Sequence, residues 1–147
     1  MGKRKIGIGS DHGGWELKEE VVSLLAGEGY AVRDYSLDGP QSVDYPDIAN
    51  RLASDISGGR VSRGILICGT GLGMAITANR YPGVRATPCY DSYTARMSRE
   101  HNNSNLLVLG GRVTGPELAF EIVRIWLTTP FLRGRHARRL AKIPGKA

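Results

Sequence analysis

Cysteine is scarce in this 147-residue chain: Cys68 and Cys89 are the only two. Two thiols do not make a disulfide framework, so an apolar core must hold the fold, and a reducing, cytoplasmic setting is expected. Long apolar runs are also missing, none approaching the roughly 18 residues that cross a bilayer. The basic start Met1-Gly2-Lys3-Arg4-Lys5 leads directly into a short strand, without the apolar stretch of a signal peptide. No membrane partner is expected. Outside residues 131–147 the chain lacks a charge excess of either sign, with 14 basic against 14 acidic residues. The net charge of +6 therefore lies in the tail, which carries Arg133, Arg135, Arg138, Arg139, Lys142 and Lys146 and no acid. That tail has no aromatic except Phe131 and no nucleic-acid motif, so it reads as a solvated face and no nucleic-acid partner is expected.

Several motifs are absent. A dinucleotide fingerprint needs glycine at its sixth position, but counted from Gly69 that residue is Met74, and counted from Gly7 it is His12. The Gly-Lys-Ser/Thr of a nucleoside-triphosphate loop does not occur. No His, Cys or carboxylate cluster has metal-ligand spacing, so no metal and no cofactor is expected. A Cys–His nucleophilic pair for acyl transfer is conceivable, yet nothing local marks such an enzyme.

What is present alternates. Apolar runs predict strands at Lys5–Ser10, Ala31–Tyr35, Gly64–Cys68, Val84–Pro88 and Asn105–Leu109. Between them lie helical patterns: Trp15 to about Ala26; a helix capped by Asp47 and carrying Ile48, Leu52, Ala53 and Ile56; Met74–Asn79; and Ser92–Glu100. Thr114 with Glu117 reads as a capping box for the helix bearing Leu118, Ile122 and Trp126, and a last helix is expected over Gly134–Lys142. Strands that are apolar along most of their length imply a parallel sheet covered on both faces. The expected fold is α/β, a Rossmann-like three-layer α/β/α sandwich with a five-stranded parallel sheet, forming one domain over 1–147.

Polar clusters sit where strands should end. Ser10-Asp11-His12-Gly13-Gly14 follows the first strand, Cys68 and Gly69-Thr70-Gly71-Leu72-Gly73 follow the third, and Gly110-Gly111-Arg112 follows the fifth. Open α/β sheets bind ligands at this edge, where a glycine-rich turn can offer several N–H groups to an anion. A thiol beside such a turn can act as base or nucleophile. His101-Asn102 precedes the fifth strand and so belongs to the opposite rim, joining the others only from a neighbouring subunit or through an unusual loop. Blander readings stand beside these: Cys68 as a small buried residue, Asp11 as a helix cap, Asn102 as a helix stop, Arg112 as a surface charge. Arg135 and Arg139, four apart, share a helix face that suits a phosphate or simply solvent.

Taken together, Gly9–Gly14, Asp44-Tyr45-Pro46-Asp47, Ile67–Met74 with Ala78-Asn79, Ser98–Asn102, Gly110–Val113 and Gly134-Arg135-His136 with Arg139 resemble the type B ribose-5-phosphate isomerase family. That family also holds galactose-6-phosphate and allose-6-phosphate isomerases. The resemblance implies a cofactor-free aldose–ketose isomerase working through an enediolate. It implies Cys68 as the proton-shuttling base, Gly69, Gly71, Leu72 and Gly73 as enediolate holders assisted by Asn102, and Thr70 with His101 as the ring-opening pair. It further implies His12, Arg112, Arg135 and Arg139 as a phosphate clamp, and Asp11 and Tyr45 as contacts to sugar hydroxyls. Two departures are visible. Met74 stands where some relatives carry a glutamate base, and Gly13 stands where alanine is usual, although Trp15 keeps the aromatic nearby.

The resemblance also implies a homodimer or higher oligomer with sites shared between subunits, completed by the basic helix at about 131–147. The expected reaction interconverts ribose 5-phosphate and ribulose 5-phosphate. A hexose 6-phosphate isomerase with the same machinery and a noncatalytic sugar-phosphate-binding module are the alternatives. Binding alone would require neither Cys68 nor His101.

Overall fold

A computed structural model describes residues 4–145. Five parallel strands run β1 (Lys5–Ser10), β2 (Ala31–Asp34), β3 (Arg63–Cys68), β4 (Ala86–Pro88) and β5 (Leu106–Gly110), in spatial order β2-β1-β3-β5-β4. The helices are α1 (Trp15–Gly27), α2 (Tyr45–Ser57), α3 (Leu72–Ala78), α4 (Ser92–Glu100), α5 (Pro116–Thr128) and α6 (Arg135–Leu140). The three-layer parallel architecture expected from the alternating pattern is the one observed.

The sheet's apolar residues divide between its two faces. Ile6, Ile8, Ile65, Ile67, Leu107 and Leu109 pack with α1, α5 and Ala95 of α4. Leu66, Leu106 and Val108 pack with Ile48, Leu52 and Ala53 of α2 and with Met74, Ala75 and Ala78 of α3. β3 and β5 lie in the middle of the sheet with both faces covered, which is why their sequences are unbroken apolar runs. Trp126 of α5 is fully buried and its indole N–H donates to Ser104 Oγ at 3.0 Å, so the largest core side chain keeps its polar atom satisfied. Truncating it to alanine would cost about 3–5 kcal/mol.

Two predicted helix starts are corrected. α2 begins at Tyr45 with Asp44 in the cap position and proline in its first turn, so Asp47 lies inside the helix and favours its dipole from there. α5 begins at Pro116 with Gly115 as cap and no side-chain cap bond, so Thr114 and Glu117 form no capping box. In both places a proline, pre-set for the first helical turn, decides where the helix starts. α3 begins at Leu72, two residues early, placing Gly73 on a helix. β2, β4 and α6 are shorter than predicted, while β3 and β5 shift by a residue at their ends.

Strand order reverses between β1 and β3. The chain steps outward from β1 to β2, then returns past β1 to β3, so the carboxyl ends of β1 and β3 flank the crevice at the switch point. Asp11 follows one and Cys68 ends the other.

Candidate active site

At the carboxyl edge three glycine-containing turns interlock through backbone. Asp11 N–H donates to the Ile67 carbonyl (3.3 Å), Gly111 N–H to the Cys68 carbonyl (2.7 Å) and Arg112 N–H to the Gly69 carbonyl (3.0 Å). A Cβ on Gly110 would stand 2.7 Å from the Thr70 carbonyl oxygen, so backbone approaches here leave no room for a side chain. Asp11, Cys68 and Arg112 are thereby held on neighbouring turns, and the Arg112 guanidinium lies beside Gly69.

Cys68 ends β3 buried, with Gly71 N–H donating to Sγ at 3.1 Å. The positive end of that dipole points at the sulfur, and Gly71 reaches the position only in the left-handed region, at φ +88°. Leu72 N–H is taken by Thr70 Oγ1 at 3.2 Å. The N–H groups of Gly69, Thr70 and Gly73 make no hydrogen bond among the described residues and stay open to an anion. The Tyr45 ring lies directly against Gly73, where any Cβ would collide with it. His12 Nδ1 accepts from Val43 N–H at 3.3 Å, so the proton of its neutral ring sits on Nε2, a donor. Asp11 uses Oδ1 to accept from Gly14 N–H at 3.2 Å, capping the turn His12–Gly14. The cap reading and the site reading of Asp11 are thus compatible.

His101, Asn102, Arg135 and Arg139 occupy the other edge. His101 caps the carboxyl end of α4, and the left-handed residue that turns the chain away is Asn103, at φ 47°, rather than Asn102. Buried Arg99 ties this corner together: its Nε donates to the Thr129 carbonyl at 3.1 Å, and its Nη1 to Asn103 Oδ1 at 3.1 Å and to the Ser104 carbonyl. Burial, with Arg63 and Arg85 nearby, pushes the Arg99 guanidinium down to about 10, still charged at neutral pH. Leu132 N–H donates to the Glu100 carbonyl at 3.1 Å, hanging α6 on the end of α4. There the His136 ring stacks on His101, centroids 4.1 Å apart and planes 12° from parallel.

The four clamp candidates are therefore split within one chain: His12 and Arg112 lie with Cys68, Arg135 and Arg139 with His101. Strand β5 separates the edges by about 13 Å at 3.3 Å per residue. Cys68 and His101 of one chain cannot both contact the reacting end of one sugar. A cavity of about 620 Å³ borders Asn102, Phe131 and Leu140 and lies away from Cys68. No cluster of three or more His, Cys, Asp or Glu able to hold a metal occurs among the described residues. None of their helices is long and apolar enough to cross a membrane.

Two residues were given no role in the sequence reading. The Tyr90 hydroxyl donates to the Thr70 carbonyl at 2.7 Å, bracing the glycine turn from beyond β4. Burial pushes that hydroxyl's pKa up, with the Cys68 and Cys89 thiols adding to the effect, so it stays a donor. Its place just past a predicted strand end was the available signal. His136 is the other; its role depends on how α6 docks, which no local pattern carries.

Comparison with known proteins finds the same fold. A ribose-5-phosphate isomerase B structure from Clostridium thermocellum superposes with a TM-score of 0.93 at 55% identity, covering 95% of this chain and 94% of that one. A ribose 5-phosphate isomerase from Thermotoga maritima gives 0.92 at 52% identity, covering 95% and 97%. Among curated sequences, ribose-5-phosphate isomerase B of Escherichia coli is 44% identical over 140 residues (95% of this chain, 94% of the relative). D-erythrulose-4-phosphate isomerase of Pectobacterium atrosepticum is 45% identical over 139 residues (94% and 91%). The family model described as Ribose/Galactose Isomerase matches residues 6–143, and with the fold shared at this similarity over nearly the whole chain, the chain belongs to that sugar-phosphate isomerase family.

Proposed function

We propose that the protein interconverts D-ribose 5-phosphate and D-ribulose 5-phosphate, without a cofactor, through an enediolate. The observation that carries the reading is Cys68 set beneath a turn with unpaired N–H groups, at the switch point of the sheet. As a thiolate, Cys68 removes the C2 proton of the open-chain aldose. The C2–H electron pair becomes the C1–C2 double bond while the carbonyl electrons move onto O1. The N–H groups of Gly69, Thr70 and Gly73 hold the developing oxyanion, each such donor worth roughly 3 kcal/mol. Cys68 then returns the proton to C1, and the O2 hydroxyl proton passes to O1 as the C2 carbonyl of the ketose forms. Protons move between adjacent atoms, so no external electron acceptor is needed.

Thr70 and His101 act on the ring oxygen and anomeric hydroxyl, Asn102 assists the enediolate, and Asp11 and Tyr45 receive sugar hydroxyls. His12 and Arg112 from one side meet Arg135 and Arg139 from the other to hold the phosphate. Because the two groups lie on opposite edges of each chain, the reading includes a homodimer with two shared sites. Each chain is one domain that lends its last helix to its partner's site. Both cysteines are free, as a reducing cytoplasm would keep them, and that is where we place the enzyme.

The test is turnover of ribose 5-phosphate against allose 6-phosphate and erythrulose 4-phosphate, for the native protein and Cys68→Ala. The pentose should give the highest kcat/KM, and loss of the general base should lower turnover about 10²- to 10⁴-fold. A better tetrose or hexose substrate overturns the substrate assignment. Near-normal turnover of Cys68→Ala overturns the base.

A further inference from the structure

We propose that His136 is the positioning residue for His101, holding its imidazole in the orientation that ring opening requires by stacking against it. This role presupposes the reading of His101 as a ring-opening group. His101 sits just past the last turn of α4, half-buried, and its side chain makes no hydrogen bond among the described residues. Left alone, a side chain at a helix end turns about two bonds, and fixing such a rotor costs conformational entropy. The contact that fixes it is the His136 ring, at 4.1 Å and 12°.

His136 is suited to the task. It is 7% exposed, the one buried side chain of α6, while Arg135 and Arg139 remain in solvent. Its helix is anchored to α4 by the Leu132–Glu100 backbone bond and preceded by Thr129, which Arg99 grips. The charged and titratable groups around the ring are His101 and Glu100 from α4 and Arg135 and Arg139 from α6. Burial first, then His101 and the two arginines, lower the pKa of His136 against the opposing pull of Glu100. The ring is therefore neutral at working pH and stacks without charge repulsion. A single short helix thus sets the spacing between the proposed phosphate arginines and the proposed ring-opening histidine.

Three variants separate the possibilities: His136→Phe keeps a flat ring, His136→Leu fills the space without one, and His101→Asn is the reference. Two rates are measured on each, turnover at saturating ribose 5-phosphate and solvent-deuterium exchange into ribulose 5-phosphate. The exchange needs Cys68 and the enediolate but no furanose opening. Inhibition by inorganic phosphate reports the clamp. His136→Leu should lower aldose turnover about 10- to 100-fold, the range a misplaced catalytic group costs, with exchange and phosphate inhibition within about twofold. His136→Phe should recover most of the loss.

Native-like turnover of His136→Leu overturns the proposal. So does a Phe variant as poor as Leu, which would assign the role to the imidazole nitrogens. So does a loss confined to phosphate inhibition, which would assign it to the clamp. If His101→Asn itself slows exchange as much as aldose turnover, the ring-opening reading has failed and takes this role with it. That outcome is told apart because the reference variant, not only the His136 variants, then behaves differently.

Discussion

Mixing two dead enzymes should make a live one. If each site takes Cys68 from one subunit and His101 from the other, Cys68→Ala and His101→Asn chains are individually inactive for different reasons. After exchange at equal concentration, half of the dimers are hybrids. Each hybrid has one site with both residues intact and one with both replaced, so a quarter of all sites are restored. Loss of the base leaves at most about 1% of native turnover, so recovery to about 25% stands well above background. The structure supplies the reason to expect it: β5 holds the two residues of one chain about 13 Å apart along the strand direction. The assay is coupled detection of ribulose 5-phosphate, with subunit exchange verified by mass on one tagged chain. Verified exchange without recovery would put Cys68 and His101 in the same subunit's site and refute the edge reasoning.

Gly110→Ala forces a Cβ to within 2.7 Å of the Thr70 carbonyl oxygen and should destabilise the fold by about 1–3 kcal/mol; an unchanged denaturation midpoint would show the turn is slack. Tyr90→Phe removes the 2.7 Å bond to the same carbonyl and should lower turnover severalfold with little change in thermal midpoint, which steady-state kinetics and melting together check. Tyr35 is buried and bonded to Asp55 at 2.6 Å, and its pKa is pushed up to about 12, first by burial and then by the Asp55 hydrogen bond. A raised folded pKa stabilises below the unfolded value near 10 and is lost as pH climbs toward 12. Unfolding free energy should therefore drop by about 2 kcal/mol across that window, less in Tyr35→Phe. The Asp55 carboxyl, held below its usual range by Tyr35 and then Arg60, has the opposite sign. Its stabilisation is present above the unfolded value near 3.8 and fades as pH falls below it, and Asp55→Asn should flatten that acid limb.

The elements that could be read from the chain are those whose pattern is also their cause. Ile65-Leu66-Ile67 and Leu106–Leu109 are apolar because both of their faces are covered, and Ile48, Leu52, Ala53 and Ile56 recur because one face of α2 meets the sheet. Gly71, Gly110 and Gly111 marked the edge because backbones meet there, and Gly73 because the Tyr45 ring lies against it. The misread helix starts had two local signals in competition, a polar cap candidate and a proline, and proline prevailed at both α2 and α5. Tyr90 and His136 were given no role for another reason. Their partners lie twenty and thirty-five residues away, and only tertiary docking brings them together.

The division of groups between the two edges follows from the polarity of a parallel α/β sheet. Turns at the carboxyl edge lead into helix N-termini, where unpaired N–H groups favour negative charge. That edge holds Cys68 and the open donors of Gly69, Thr70 and Gly73, the environment an enediolate needs. Helices end at the amino edge, where free carbonyls favour positive charge. That edge holds His101 at the end of α4, with Arg135, His136 and Arg139 docked beside it. A single subunit can supply an anion-stabilising half and a cation-bearing half, but its own strands keep them apart. In the proposed homodimer, the carboxyl edge of one subunit would meet the amino edge of the other, joining the halves without altering either, and a two-fold axis would make the arrangement twice over.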